Sequence, residues 1–170
     1  MSSERCMAKG FLTGMVAGLA ASWAMNQFWA VQSSLKQASD GSDAKEQEQE
    51  RASDNPTVKV AEFIVRPLLG REMAQSEKKI AGAVVHYAFG ALVGGLYGIL
   101  TEAMPAARAG FGTAYGTVVW LGADEAMVPA LKLSPPPQEA SLSQHLSGLS
   151  AHLVYGAATE AVRRTLRAAA

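Results

Sequence analysis

The chain has one cysteine, Cys6, and no net charge. A single thiol excludes an internal disulfide and a multi-cysteine metal site, and Cys6 reads as an inert thiol. Fifteen basic residues balance fifteen acidic ones, so no global field draws the chain to nucleic acid, and no nucleic-acid partner is expected. Nucleophile motifs, phosphate-binding loops and dinucleotide fingerprints are also missing. The run GALVGG at Gly90 to Gly95 lies inside an apolar stretch with no preceding strand. The chain is therefore expected to be no enzyme and to bind no cofactor.

Charge is missing from long stretches, and this is informative. Gly10 to Val31 carries no charged residue, and a helix over 10–31 rises roughly 33 Å, enough to cross a hydrocarbon core. The stretch 80–100 is a second such run, with His86 its one ionisable group. A third, 109–131, is broken by Asp124 and Glu125, and a fourth, 146–162, carries His152 and Glu160. A soluble chain of 170 residues rarely holds two uncharged runs of this length. The expectation is an all-α, polytopic membrane bundle, one domain over 1–170 with about four transmembrane helices and a long first loop. The first run also has features of a signal peptide, with Arg5 and Lys9 ahead of it. Its continuation to Trp29 and Val31 favours a retained helix, since tryptophans suit the membrane interface.

Glycines recur four residues apart: Gly14 and Gly18, Gly90 and Gly94, Gly94 and Gly98, Gly112 and Gly116. This spacing lets helix backbones approach closely, which is how membrane helices pack. A weak internal repeat pairs Tyr97-Gly98 and Thr101-Glu102-Ala103 with Tyr155-Gly156 and Thr159-Glu160-Ala161. Both tyrosines read as interface anchors. The stretch 32–79 is polar and rich in both charges, a solvated loop. Within it, 56–68 has amphipathic spacing, with Asn55 placed to cap and Pro56 at the first helical position. It suits either a membrane surface or the mouth of the bundle.

With four spans both termini share one side. That side holds Arg5, Lys9, Arg108, Arg163, Arg164 and Arg167, whereas the short loop opposite, 132–145, holds only Lys132. Basic residues in short loops mark the cytoplasmic face, so both termini are expected inside. Arg163, Arg164 and Arg167 are read as headgroup anchors and Glu160 as their neighbour at the water interface.

Ionisable residues within spans are costly and need partners. His86, Glu102, Asp124, Glu125, His152 and Glu160 are the candidates. The leading reading is structural, with His152 bonded across helices and Glu160 paired with Arg163 or Arg164. The other is a proton relay from Asp124, Glu125 and His86 through His152 to Glu160 or Glu102, because burial and pairing move such groups toward neutral pH. Histidine and carboxylate are suitable metal ligands, but no ligand motif is present and no metal is expected.

The C-terminal half carries His86 and Phe89, then Tyr97, Glu102 and Pro105. Pro129, Leu133 and Pro135-Pro136 follow, then His152-Leu153-Val154, Glu160, Arg163-Arg164 and Leu166-Arg167. In order and spacing these resemble the YagU-like inner-membrane proteins of bacteria, a family of unknown biochemical activity. The resemblance spans His86 to Arg167, about half the chain; Ser39 to Arg51 and Asp124-Glu125 depart from it. It implies a multi-pass inner-membrane protein linked to survival in acid, with the lipid bilayer as partner and no known catalytic residues. A homo-oligomer is left open, and a small proton- or ion-coupled transporter or channel is the alternative function.

Overall fold

A computed structural model describes residues 2–40 and 56–169. Among them the chain is all α-helical, with five helices and no strand. The polar stretch 41–55, with Asn55, lies outside the described residues.

Helix α1 is Ser2–Asp40, longer at both ends than the apolar run. Past Val31, Ser33 and Ser34 return their hydroxyls to Ala30 O within the helix. Helix α2, Pro56–Leu69, is the amphipathic element. Helix α3 is Gln75–Ala103. Its first turn is held by Glu77, which accepts from the Ala74 N–H at 2.7 Å and from Arg71 at 2.7 and 2.9 Å. These bonds pull the Glu77 carboxyl down to about 2. The helix ends where Pro105 forces Met104 into an extended conformation.

A 3₁₀ segment, Pro105–Gly112, leads into helix α4, Thr113–Trp120. The rod then widens into a π-helical stretch, Leu121–Met127, and closes with one α turn, Val128–Ala130. Pro129 explains the widening. Its ring would strike the carbonyl of Glu125, four residues back, and it has no N–H to offer. The wider turn removes that clash. Helix α5, Leu142–Ala169, starts with a reciprocal cap: Gln144 Oε1 accepts from Ser141 N–H, and Ser141 Oγ accepts from Gln144 N–H.

The long helices alternate in direction, and glycine sets their crossings. Gly10, Gly14 and Gly18 of α1 meet Gly98, Gly94 and Gly90 of α3, so these helices are antiparallel. A Cβ on Gly94 would stand 2.6 Å from Gly18 Cα and closer still to Gly14 O, leaving no room for alanine. Gly112, which caps α4, and Gly116 within it face Gly156 and the His152 carbonyl of α5 in the same way. Gln32 bonds Ser147, and Cys6 lies beside Arg167, so α1 and α5 are antiparallel too. Ala21, Met25, Val93, Ala151 and Tyr155 form the central cluster of α1, α3 and α5, with Tyr115 of α4 against it. α2 packs on α3 through Val58 at Gly82 and through a Lys78–Glu62 ion pair of 2.7 Å.

Several polar side chains are buried alongside the central apolar cluster. The largest side chains fully removed from solvent are Tyr97, Glu160, Thr101, Thr159 and Ser22. The outward faces are apolar: Leu12 (62% exposed), Val16, Leu19 and Trp23 (59%) along α1, and Ile80 (68%), Val84, Leu92, Leu96 and Leu100 along α3. α3 is long and apolar enough to cross a membrane by length and composition. It alone among the described helices meets that test. Asn26 and Gln27 interrupt the run in α1, and Asp124-Glu125 interrupts the third run.

Candidate functional site

The alternating helices gather the ionisable residues into two groups, one at each end of the bundle. The first lies where α1 begins and α3 and α5 end. Glu160 is its centre and is 0% exposed. Tyr97 OH donates to Glu160 Oε2 at 2.9 Å, Arg163 Nε to the same oxygen at 2.8 Å and Arg163 Nη2 to Oε1 at 3.1 Å. Arg164 Nε donates to Oε1 at 2.6 Å. A second pair lies beside it: Arg167 Nη2 to Glu102 Oε1 at 2.7 Å, with Cys6 Sγ donating to Glu102 Oε2 at 3.1 Å. Arg108 Nη2 donates to Thr101 O at 2.9 Å.

These positions correct the picture of a wet, interfacial Glu160. Its carboxylate is enclosed because Gly156, one turn earlier, brings α4 against α5, while Tyr97 covers it from α3. Arg163, 4% exposed, turns inward with it rather than outward to headgroups. Arg164 and Arg167 remain partly open. Tyr97 and Tyr155 are likewise core residues and not interface anchors, since each precedes a glycine at a helix crossing. Tyr155 OH donates to Gly90 O at 2.6 Å.

The second group lies at the far end, where α4 takes its π turn. Asp124 Oδ2 is 3.7 Å from His152 Nδ1, and Asp124 is 47% exposed. His152 Nδ1 also pairs with Gly148 O at 3.0 Å. His86 Nε2 is 3.3 Å from Ser22 O and within electrostatic reach of both Asp124 and His152. Next to this trio, Glu125 Oε1 is 2.9 Å from His145 Nδ1, and His145 Nε2 is 3.1 Å from Pro137 O. Hydrogen bonding to Glu125 raises the His145 pKa above its ordinary value. A shallow cavity of about 290 Å³ opens here, lined by Trp120, Asp124, Glu125, Pro135, Glu139 and His145, among others.

The six candidate residues are thus split rather than joined. His86, Asp124, Glu125 and His152 share one end, and Glu102 and Glu160 share the other. Between them stand Tyr155, Tyr115 and Tyr97. Tyr115 OH donates to Val93 O at 2.8 Å, and its ring lies 4.6 Å from that of Tyr97. Tyr155 and Tyr115 donate their hydroxyls to backbone carbonyls. Among the described residues, no three His, Cys, Asp or Glu side chains are grouped to hold a metal ion. Sequence reasoning missed His145, the partner of Glu125. The signal was its place four residues after Ser141, in the first turn of α5, facing the Pro135–Pro137 connector.

No curated protein and no solved structure matches the chain. The model of a family described as "Protein of unknown function (DUF1440)" matches residues 47–161. The match takes in His86, Tyr97, Glu102, Asp124, Glu125, His145, His152 and Glu160, and leaves out all of α1. It covers well over half of the 170 residues, and the chain therefore belongs to the DUF1440 family, whose function is unknown.

Proposed function

We propose that this DUF1440 protein is a non-enzymatic, multi-pass protein of the bacterial inner membrane that supports the envelope under acid stress. In this reading α1, α3, the stretch 109–131 that contains α4 and the π turn, and α5 span the bilayer, α2 lies at the outer surface, and both termini are cytoplasmic. One observation carries the membrane part: the apolar faces point out while Glu160, Tyr97, Thr101 and Thr159 point in. Water would favour the reverse arrangement, since exposed apolar patches of this extent mark an interaction surface. Lipid favours it, because small residues and buried hydrogen bonds are what hold helices together there. The exposed stripe on α3 runs from Ile80 to Leu100, roughly 30 Å of helix, which fits a hydrocarbon core. Phe63 and Ile64 of α2 are exposed as well, on a helix suited to the interface.

The acid-stress part draws on the resemblance to YagU-like proteins and on the far-end cluster. Asp124, His152, His86 and the Glu125–His145 pair hold several protonatable groups near the proposed outer face. Histidine is the side chain that changes charge between about pH 5 and 8. The test is survival of a deletion strain after acid challenge. Complementation by the wild-type chain and failure by Asp124→Asn/His152→Gln, at equal membrane levels, supports the reading. Equal rescue by both removes the cluster from it.

A second reading is a proton- or ion-coupled transporter, favoured by one feature: the π turn sets an open carboxylate beside two histidines. π turns occur often at functional sites. Proton flux into pyranine-loaded liposomes, abolished by His152→Ala, supports transport. Absence of flux at every imposed gradient supports the structural role.

A further inference from the structure

We propose that the arginine end of the bundle is a docking surface for anionic lipid headgroups of the cytoplasmic leaflet, with Arg108 and Arg164 as its contact residues. The inference rests on the membrane reading above and adds a partner to it. Charge pairing at this end is incomplete. Glu160 is matched by the enclosed Arg163, and Glu102 by Arg167. Arg164 touches Glu160 through Nε and stays 54% exposed, so its terminal nitrogens remain available. Arg108 has no carboxylate within ion-pair distance among the described residues; its Nε is buried without a hydrogen-bond partner there and its Nη2 donates to Thr101 O, so its positive charge is left unneutralised at the same end as Arg164. Arg5 and Lys9 add exposed positive charge from the start of α1.

Arg164 stacks on an aromatic residue in the turn that follows Arg108. Phe111 is exposed, and the Arg164 guanidinium sits 4.8 Å from its ring centroid. Phe111 takes a left-handed φ of 56° between Gly110 and Gly112, which also have positive φ. A non-glycine residue held there is costly and needs its surroundings to fix it. The stacked Arg164 is one such contact. A guanidinium presents a planar fork that fits phosphate oxygens, and an aromatic ring beside it suits the headgroup level. The opposite end carries both signs, with Arg71 paired to Glu77 and Lys78 to Glu62 beside Asp124, Glu125 and Glu139, whereas at this end basic side chains outnumber the carboxylates Glu4, Glu102 and Glu160.

The test starts with wild-type protein reconstituted into vesicles and washed with alkaline carbonate. Release into the wash overturns the membrane reading and this inference together. Integrated protein is then equilibrated with an equimolar mixture of phosphatidylglycerol and phosphatidylcholine in detergent, and retained lipid is counted by native mass spectrometry. The wild type is expected to retain phosphatidylglycerol preferentially. Each arginine near an anionic surface contributes about a fivefold preference, so Arg108→Gln/Arg164→Gln is expected to lose roughly 25-fold. Arg108→Lys/Arg164→Lys, which keeps the charge, retains most of the preference, and Arg66→Gln at the other end leaves it unchanged. Equal retention of the two lipids by the wild type overturns the inference while leaving the membrane reading intact. Displacement of phosphatidylglycerol by excess glycerol phosphate also overturns it, in favour of a soluble-anion site.

Discussion

Tyr97 OH donates to Glu160 Oε2 at 2.9 Å, and both side chains are fully removed from solvent. The bond joins α3 to α5 at the level where Arg163 neutralises the carboxylate. Breaking a buried ion pair by removing one partner costs about 3–5 kcal/mol, because the other charge stays buried. Glu160→Ala is therefore expected to lower stability by about that much, and Tyr97→Phe by about 1.5–3 kcal/mol, the scale of a hydrogen bond to a charged group. Thermal unfolding of the purified variants reads both. Wild-type melting of Glu160→Ala places the carboxylate in water and contradicts the buried arrangement.

The glycine contacts give a graded prediction. At Gly94 an added side chain meets Gly14 O and Gly18 Cα, which are backbone and cannot give way. At Gly122 nothing lies within 4 Å. Gly94→Val should force α1 from α3 and cost more than the about 1–3 kcal/mol usual for overpacking. Gly122→Ala should be neutral or slightly stabilising, since alanine is the better helix former. Comparable destabilisation by both variants in the same unfolding assay counts against the packing described.

The His145–Glu125 contact predicts a pH dependence at the α5 entrance. Glu125 raises the His145 pKa above its ordinary value of about 6.5. A raised folded-state pKa adds stability that is complete below the unfolded value and is lost as pH rises through the folded one. The melting-temperature gap between wild type and His145→Ala should thus be largest below about pH 6 and shrink as the solution becomes alkaline. A gap that grows with pH reverses the sign and removes the ion pair as its cause.

Much of the fold was legible because uncharged runs and glycine spacing are local signals. The stretches 10–31, 80–100 and 146–162 each lie within a long helix, 109–131 is divided among a 3₁₀ segment, α4, the π turn and a closing α turn, and α2 begins at Pro56. The glycine pairs lie at the crossings because only hydrogen lets backbones come that close. What stayed hidden depends on partners distant in sequence. Glu160 with Arg163 and Arg164 reads the same whether the helix end is wet or enclosed, and the deciding residue, Tyr97, is 63 positions away. The length of α1 was hidden because its last turns are polar, so hydrophobic periodicity ends before the helix does. The π turn had a readable cause in Pro129, whose effect on the Glu125 carbonyl is a matter of spacing alone.

The central claim is that the apolar faces of the long helices meet lipid, with the arginine end in the cytoplasm. Impermeant maleimide labelling of single cysteines in a Cys6→Ser background tests it most directly. Gln138 lies exposed in the connector at the far end, and Ala106 and Ala168 lie exposed at the arginine end. Gln138→Cys is expected to label in intact cells, and Ala106→Cys and Ala168→Cys only after permeabilisation. Labelling of Ala168→Cys in sealed cells, or equal labelling of all three, contradicts the account.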